Sequence, residues 1–144
     1  LTLDGSLATT TVEVQADGTL DVTAGGLADD ATLTADGQVN IQSIDAIDTL
    51  NGSGFVRISI TRSLTIDQGE FSGGFQDVGE IIKATTGTLL LSGGSTHRGK
   101  ITIQAGKIEL TGSTSSETIQ IDSGATLEST NGGLDETASV TNAG

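Results

Sequence analysis

Residues 81–112 read IIKATTGTLLLSGGSTHRGKITIQAGKIELTG. Two phrases inside this stretch, GTLLLSGG and AGKIELTG, share one grammar: a glycine, a short apolar strand, and another glycine. The same anchor, a glycine before alternating or continuous apolar residues, recurs outward in both directions. It stands at Gly18, Gly37, Gly54, Gly69, Gly87, Gly106 and Gly124, at intervals of 19, 17, 15, 18, 19 and 18 residues. A near-constant period of this size is the mark of a repeat architecture.

A second short strand precedes most anchors: TVEV at 11–14, ATLT at 31–34, SLTI at 63–66, KITI at 100–103 and TIQI at 118–121. One unit is therefore a strand, a tight glycine turn, a strand and a looser polar loop. The glycines are read as turn residues, because only glycine enters positive φ at no steric cost. Apolar and polar residues alternate along the strands with period two, which buries one face and leaves the other in water. No stretch carries a convincing helical period.

Stacking such units at about 4.8 Å per rung gives an all-β parallel β-helix, or solenoid. The chain is then a single solenoid segment over 1–144 of about seven coils of 15–20 residues, with like side chains above one another. Leu20, Val39, Val56, Phe71, Leu89 and Ile108 are expected to form one inward ladder, which Leu127 joins only through a one-residue slip. A β-sandwich also has short strands at regular spacing, but it seldom repeats its sequence. The narrow interior accounts for only three aromatic residues, all Phe, and unbroken pairing accounts for the absence of proline. Residues 43–79 are expected to be the least regular, because GEFSGGFQDVG lacks a clean strand pattern.

The region 80–112 resembles the autotransporter-associated β-strand repeat of bacterial passenger domains. Lys83, Gly87, Thr88, Leu89, Leu91, Ser92, Gly93, Thr96, Gly99, Thr102, Ile103, Ala105, Gly106, Ile108, Leu110 and Gly112 fill the pattern of that family. The chain departs from it at Thr85, where the family often has glycine, and at His97-Arg98, where its loop usually has an aromatic residue and a second glycine. The resemblance implies a right-handed parallel β-helix exported to the bacterial cell surface or the medium. It implies no catalytic residue.

Composition narrows the partners. With 6 basic and 19 acidic residues the formal net charge is −13, which argues against nucleic acid and against docking on anionic lipid. No apolar run is long enough to span a membrane, and there is no cysteine for a disulfide framework. The chain opens in LTL without an initiator Met and is read as an excerpt of a longer one. All six basic residues lie between 57 and 107, a band that could meet an anionic or sugar partner.

Chemistry is weakly signalled. His97, the one histidine, stands in the polar loop GGSTHRGK with Arg98 and Lys100, and this loop is the candidate partner-contact site, with His97 read as a surface turn residue. No Gly-x-Ser-x-Gly nucleophile turn accompanies it. Asp29-Asp30, Asp17 and Asp36 offer carboxylates near turns, as Ca²⁺ prefers, but neither an EF-hand spacing nor a calcium repeat is present. No cofactor is expected, with Ca²⁺ at these carboxylates as the alternative. The reading is a non-enzymatic stalk or adhesin segment, extracellular or on the cell surface. Its partners would be neighbouring coils, further copies stacked end to end, or host-surface and matrix glycans. The alternatives are a self-assembling filament or sheath subunit and a polysaccharide-active β-helix enzyme.

Overall fold

The computed structural model describes residues 1–130 and 133–144. Among them every regular element is a strand, and each paired strand runs parallel to its neighbours. The chain is a parallel β-solenoid of about 7 turns, as its alternation predicts.

Three strand stacks form the walls. The first face holds Thr2–Ser6, Thr19–Gly26, Gln38–Ile41, Phe55–Ile58 and Gly74–Asp77 in that order. It continues as two short strands, Gly94–Ser95 and Ser113–Thr114, held to the rung below where the Thr96 and His97 N–H groups donate to the Phe75 carbonyl. The second face carries Glu80–Lys83, Lys100–Ile103, Thr118–Ile121 and Ser139–Asn142. The third carries Thr11–Val14, Thr32–Ala35, Thr88–Leu91, Lys107–Leu110 and Thr126–Ser129. The two longest strands of the sheet that joins these faces, Asp45–Asn51 and Ser63–Phe71, belong to both. The start of Ser63–Phe71 pairs with Glu80–Lys83, and its end pairs with Thr88–Leu91. Gly69, at φ 135°, lies where that strand turns the corner.

The stretch 43–79 contains the two longest strands of that sheet, and GEFSGGFQDVG holds the end of one strand and the whole of the next, Gly74–Asp77. The stretch also holds Thr61 and Asp77 at positive φ, and the pairing of its two long strands skips Asp48. Shortened strands occur on the first face beyond Ser92, where the pairing falls to two residues.

One corner explains the period. Gly18, Gly37, Gly54, Gly73, Gly93, Gly112 and Gly133 stack in a column between the third and first faces. A Cβ on any of the last six would run into the carbonyl oxygen of the glycine one rung below. The requirement here is close backbone approach and not positive φ, since none of the seven has φ in the left-handed range. Three of the predicted anchors, Gly18, Gly37 and Gly54, are members of this column. Gly69, Gly87, Gly106 and Gly124 are not: Gly69 is a strand bend, and the other three lie between the second and third faces. Phase is lost at GEFSGG, where Gly73, four residues after Gly69, is the true continuation.

The expected single ladder splits for the same reason. Leu20, Val39 and Val56 stack on the first face and continue to Phe75. Leu89 and Ile108 stack on the third face and continue to Leu127. Phe71 belongs with Leu91 and Leu110, one position further along the inward side. All six predicted residues are buried, but in two walls. Leu127 sits directly against Ile108 with no slip, because the extra residue after Gly124 is taken up in the turn before the strand. Phe71 and Phe75 face each other inside the coil with ring centroids 5.2 Å apart and planes tilted by 60°, a favoured aromatic geometry.

Adjacent glycines test the column. On Gly93 a methyl group would strike the Gly73 and Ser72 carbonyl oxygens, whereas on Gly94 it would meet only Ser113 Oγ at 3.6 Å. Gly93→Ala is expected to lower stability by about 1–3 kcal/mol or more, and Gly94→Ala to be neutral or slightly stabilising. Urea midpoints of the two variants check this; equal midpoints would remove the close-approach explanation.

Candidate functional site

The loop singled out in the sequence is split by the wall. Arg98 is exposed and Lys100 is half-buried, its ammonium 3.6 Å from Glu80. His97 is fully buried, so its reading as a surface turn residue is corrected. The ladder Val22, Ile41, Ile58 is followed in register by Asp77. Asp77 has φ 71° and turns its carboxylate outside to Arg57, at 3.2 Å. On the next rung the backbone leaves the strand pattern, and the imidazole of His97 enters the interior.

Both imidazole nitrogens are used there. Nε2 lies 2.6 Å from the Gly79 carbonyl oxygen, and Nδ1 lies 3.0 Å from Ser116 Oγ. A carbonyl oxygen only accepts, so Nε2 carries the proton and donates. Nδ1 then accepts from the Ser116 hydroxyl, which accepts in turn from Thr114 Oγ1 at 3.0 Å. Ser116 and Thr114 are also buried. The chain Thr114–Ser116–His97–Gly79 pairs every member, as an enclosed polar network must. Burial pushes the imidazole pKa below its usual value, and the Gly79 carbonyl and the Asp77 charge oppose that shift. The serine–histidine hydrogen bond has the components of a base and a hydroxyl, but both side chains are sealed inside the coil. Beside it, where Ser95 and Thr114 follow Phe75 up the wall, the core leaves a cavity of about 10 Å³, about the space of one water.

Two ionisable side chains also replace apolar rungs of the second face. Lys83 stands between Ile66 and Ile103 in register and is fully buried. Its ammonium donates to the carbonyls of Thr85 and Ala105 in the turns beside it. Burial lowers its pKa, opposed by the Asp67 charge. Asp45 is in register with Leu64 and accepts from the N–H groups of Leu27, at 3.1 Å, and Ala46, at 2.9 Å. Burial raises its pKa, and those two donors pull it back. The strict I-I-K alternation of residues 81–83 already places Lys83 on the inward side with Ile81. No such pattern marks His97, Ser116 or Thr114.

Of the carboxylates considered for Ca²⁺, Asp17 and Asp36 precede column glycines on neighbouring rungs and line one corner groove, while Asp29 and Asp30 are exposed. Asp36 accepts from the Ser53 N–H at 3.0 Å and from its hydroxyl at 3.1 Å, so it serves as a corner cap one rung below. Among the described residues no three His, Cys, Asp or Glu side chains are grouped to hold a metal ion. Comparison with protein-family models, curated proteins and solved structures gave no match.

The interior groups can be probed one at a time. The unfolded chain, with an imidazole pKa near 6.5, binds a proton more readily than folded His97. The neutral network thus contributes fully above that pH, and its contribution is lost as pH falls from there through the lowered folded pKa. The urea midpoint difference between wild type and His97→Gln should shrink or reverse between about pH 7.5 and pH 5; a difference independent of pH would contradict the neutral assignment. For Lys83, an apolar residue of similar length relieves a buried charge. Lys83→Met should therefore stay within about 1 kcal/mol of wild type or exceed it, while Lys83→Ala should lose about 2–4 kcal/mol with the packing of the stem. Equal losses in both variants would mean that the ammonium itself holds the corner.

Proposed function

We propose that this chain is a non-enzymatic structural segment of a bacterial surface or secreted protein, a stiff spacer in a stalk or adhesin passenger. The observation that carries this reading is the run of parallel ladders through successive turns, with the hydrogen bonds directed along the solenoid axis. Thr19, Gln38, Phe55 and Gly74, for example, are partners in four successive rungs. The ionisable groups of the interior are already paired with backbone or hydroxyl groups, which suits an element that transmits force better than a reactive one. The resemblance of 80–112 to the autotransporter-associated repeat supports the same reading and the extracellular location. Exposed corners between the faces would supply adhesion, with host-surface or matrix glycans as one class of ligand.

The filament reading draws on the first coil, whose open end is lined by Leu1, Leu7, Val12, Val14 and Leu20 around about 350 Å³. The last coil is mixed: Leu127 follows Ile108 and Val140 follows Ile119 in two inward ladders. Ser129 follows Leu110 in one inward ladder and Asn142 follows Ile121 in another.

Pulling the chain from its ends along the axis tests the spacer. The ladder should open one coil at a time, each step releasing roughly 60 Å of chain at about 3.4 Å per residue. Extension without steps at low force would reject a mechanical role. Protease shaving of intact source cells tests the location; peptides of this chain should be released from the surface.

A further inference from the structure

The corner between the first and second faces has a surface unlike the rest of this acidic molecule. Ile44 and Ile60 are each 70% exposed and Val78 is 46% exposed. Arg62 and Arg98 are exposed beside them, and among the described residues neither forms an ion pair. A groove of about 330 Å³ runs along this corner, lined in part by Ile44, Thr61, Arg62, Val78 and Lys100. Its backbone is held in an uncommon form, with Thr61 at φ 63°. A β-branched residue there is a real outlier, and such strain persists where the surroundings impose it.

Arg62, Val78 and Arg98 lie on three successive rungs. The Glu80 N–H donates to the Arg62 carbonyl, and the Arg98 N–H donates to the Asp77 carbonyl. The third face presents the complementary pattern. Glu70, Leu90 and Glu109 also occupy three successive rungs, on its outward side. Each surface sets an aliphatic side chain between two like charges, and in each the charges are two rungs apart, about 9.5 Å along the axis. The corner points away from the third face, so one molecule cannot bring its own two patterns together.

We propose that the corner of one copy seats on the third face of a second copy, side by side with axes parallel, pairing Arg62 and Arg98 with Glu70 and Glu109 around Val78 and Leu90. Lys107 already partners Glu109 and Glu128, which leaves Glu70 as the carboxylate that gains most. The net charge of −13 opposes approach at long range. Salt near 0.15 M screens that repulsion beyond about 8 Å, while the contact pairs lie closer. The contact is heterologous, so each copy keeps one free half and rows form. This lateral contact is independent of end-to-end stacking and of the spacer reading.

Sedimentation velocity with two complementary variants tests it. The first is Arg62→Ser with Arg98→Ser, and the second is Glu70→Arg with Leu90→Arg; all four side chains point outward, and matching circular dichroism and urea midpoints verify the folds. Wild type should grow in size with concentration, and each variant alone should stay monomeric. A 1:1 mixture should form a dimer and nothing larger, because each variant retains one intact half. Monomeric wild type up to its solubility limit would overturn the proposal. So would association unchanged in either variant, which is the outcome expected of end-to-end stacking, or a mixture that stays monomeric.

Discussion

The fold depends on one tight contact, repeated: a glycine α-carbon lying against the carbonyl oxygen of the glycine one rung below. Strand ladders alone would hold rungs at about 4.8 Å, but they do not bring the chain round to the same place on every turn. The column from Gly18 to Gly133 does. It sets the beginning of the first face in each coil, and the alternation of the strands then aims their side chains. With the corner fixed, loops elsewhere can vary. Successive first-face partners such as Val39 and Val56 are separated by fewer residues than Leu20 and Val39, and the ladder is not disturbed.

The interior shows how a narrow coil accommodates groups that would be costly in a broad core. Lys83, Asp45 and His97 stand at or beside rung positions, yet each reaches a backbone group at a corner. A solenoid of this width has corner carbonyls and N–H groups within a side chain's length of any wall. An inward polar residue therefore finds a partner without displacing apolar neighbours, and burial penalties are offset locally. His97 takes this furthest, since it links the backbone of one coil to the hydroxyls of the next.

The strands and their inward sides were legible from the alternation in TVEV, KITI and TIQI, and their parallel stacking from the near-constant repeat period. The assignment of strands to walls was not. Strands on the first and third faces both follow a glycine and both turn an aliphatic residue inward two positions later. Val56 and Leu89 therefore look alike in the sequence, yet they occupy different walls. Gly69 and Gly73 both fit the motif, and only backbone proximity separates them. The candidate loop failed for a different reason. Around His97 the chain leaves strand geometry, so no period distinguishes inside from outside, and its polar composition suggested solvent. Its partners Ser116 and Thr114 come from the next coil, and local reading does not connect residues across a turn.

The glycine corner also bears on how such a molecule can change in length. Each turn enters and leaves at a backbone contact that involves no side chain, and it meets its neighbours through ladders of interchangeable aliphatic residues. A gene segment running from one corner glycine to the next would, if duplicated, encode a turn that already fits above and below. Growth by whole turns is thus open to this architecture without redesign of the core, whereas a cut elsewhere in the turn would also have to reconcile two different walls.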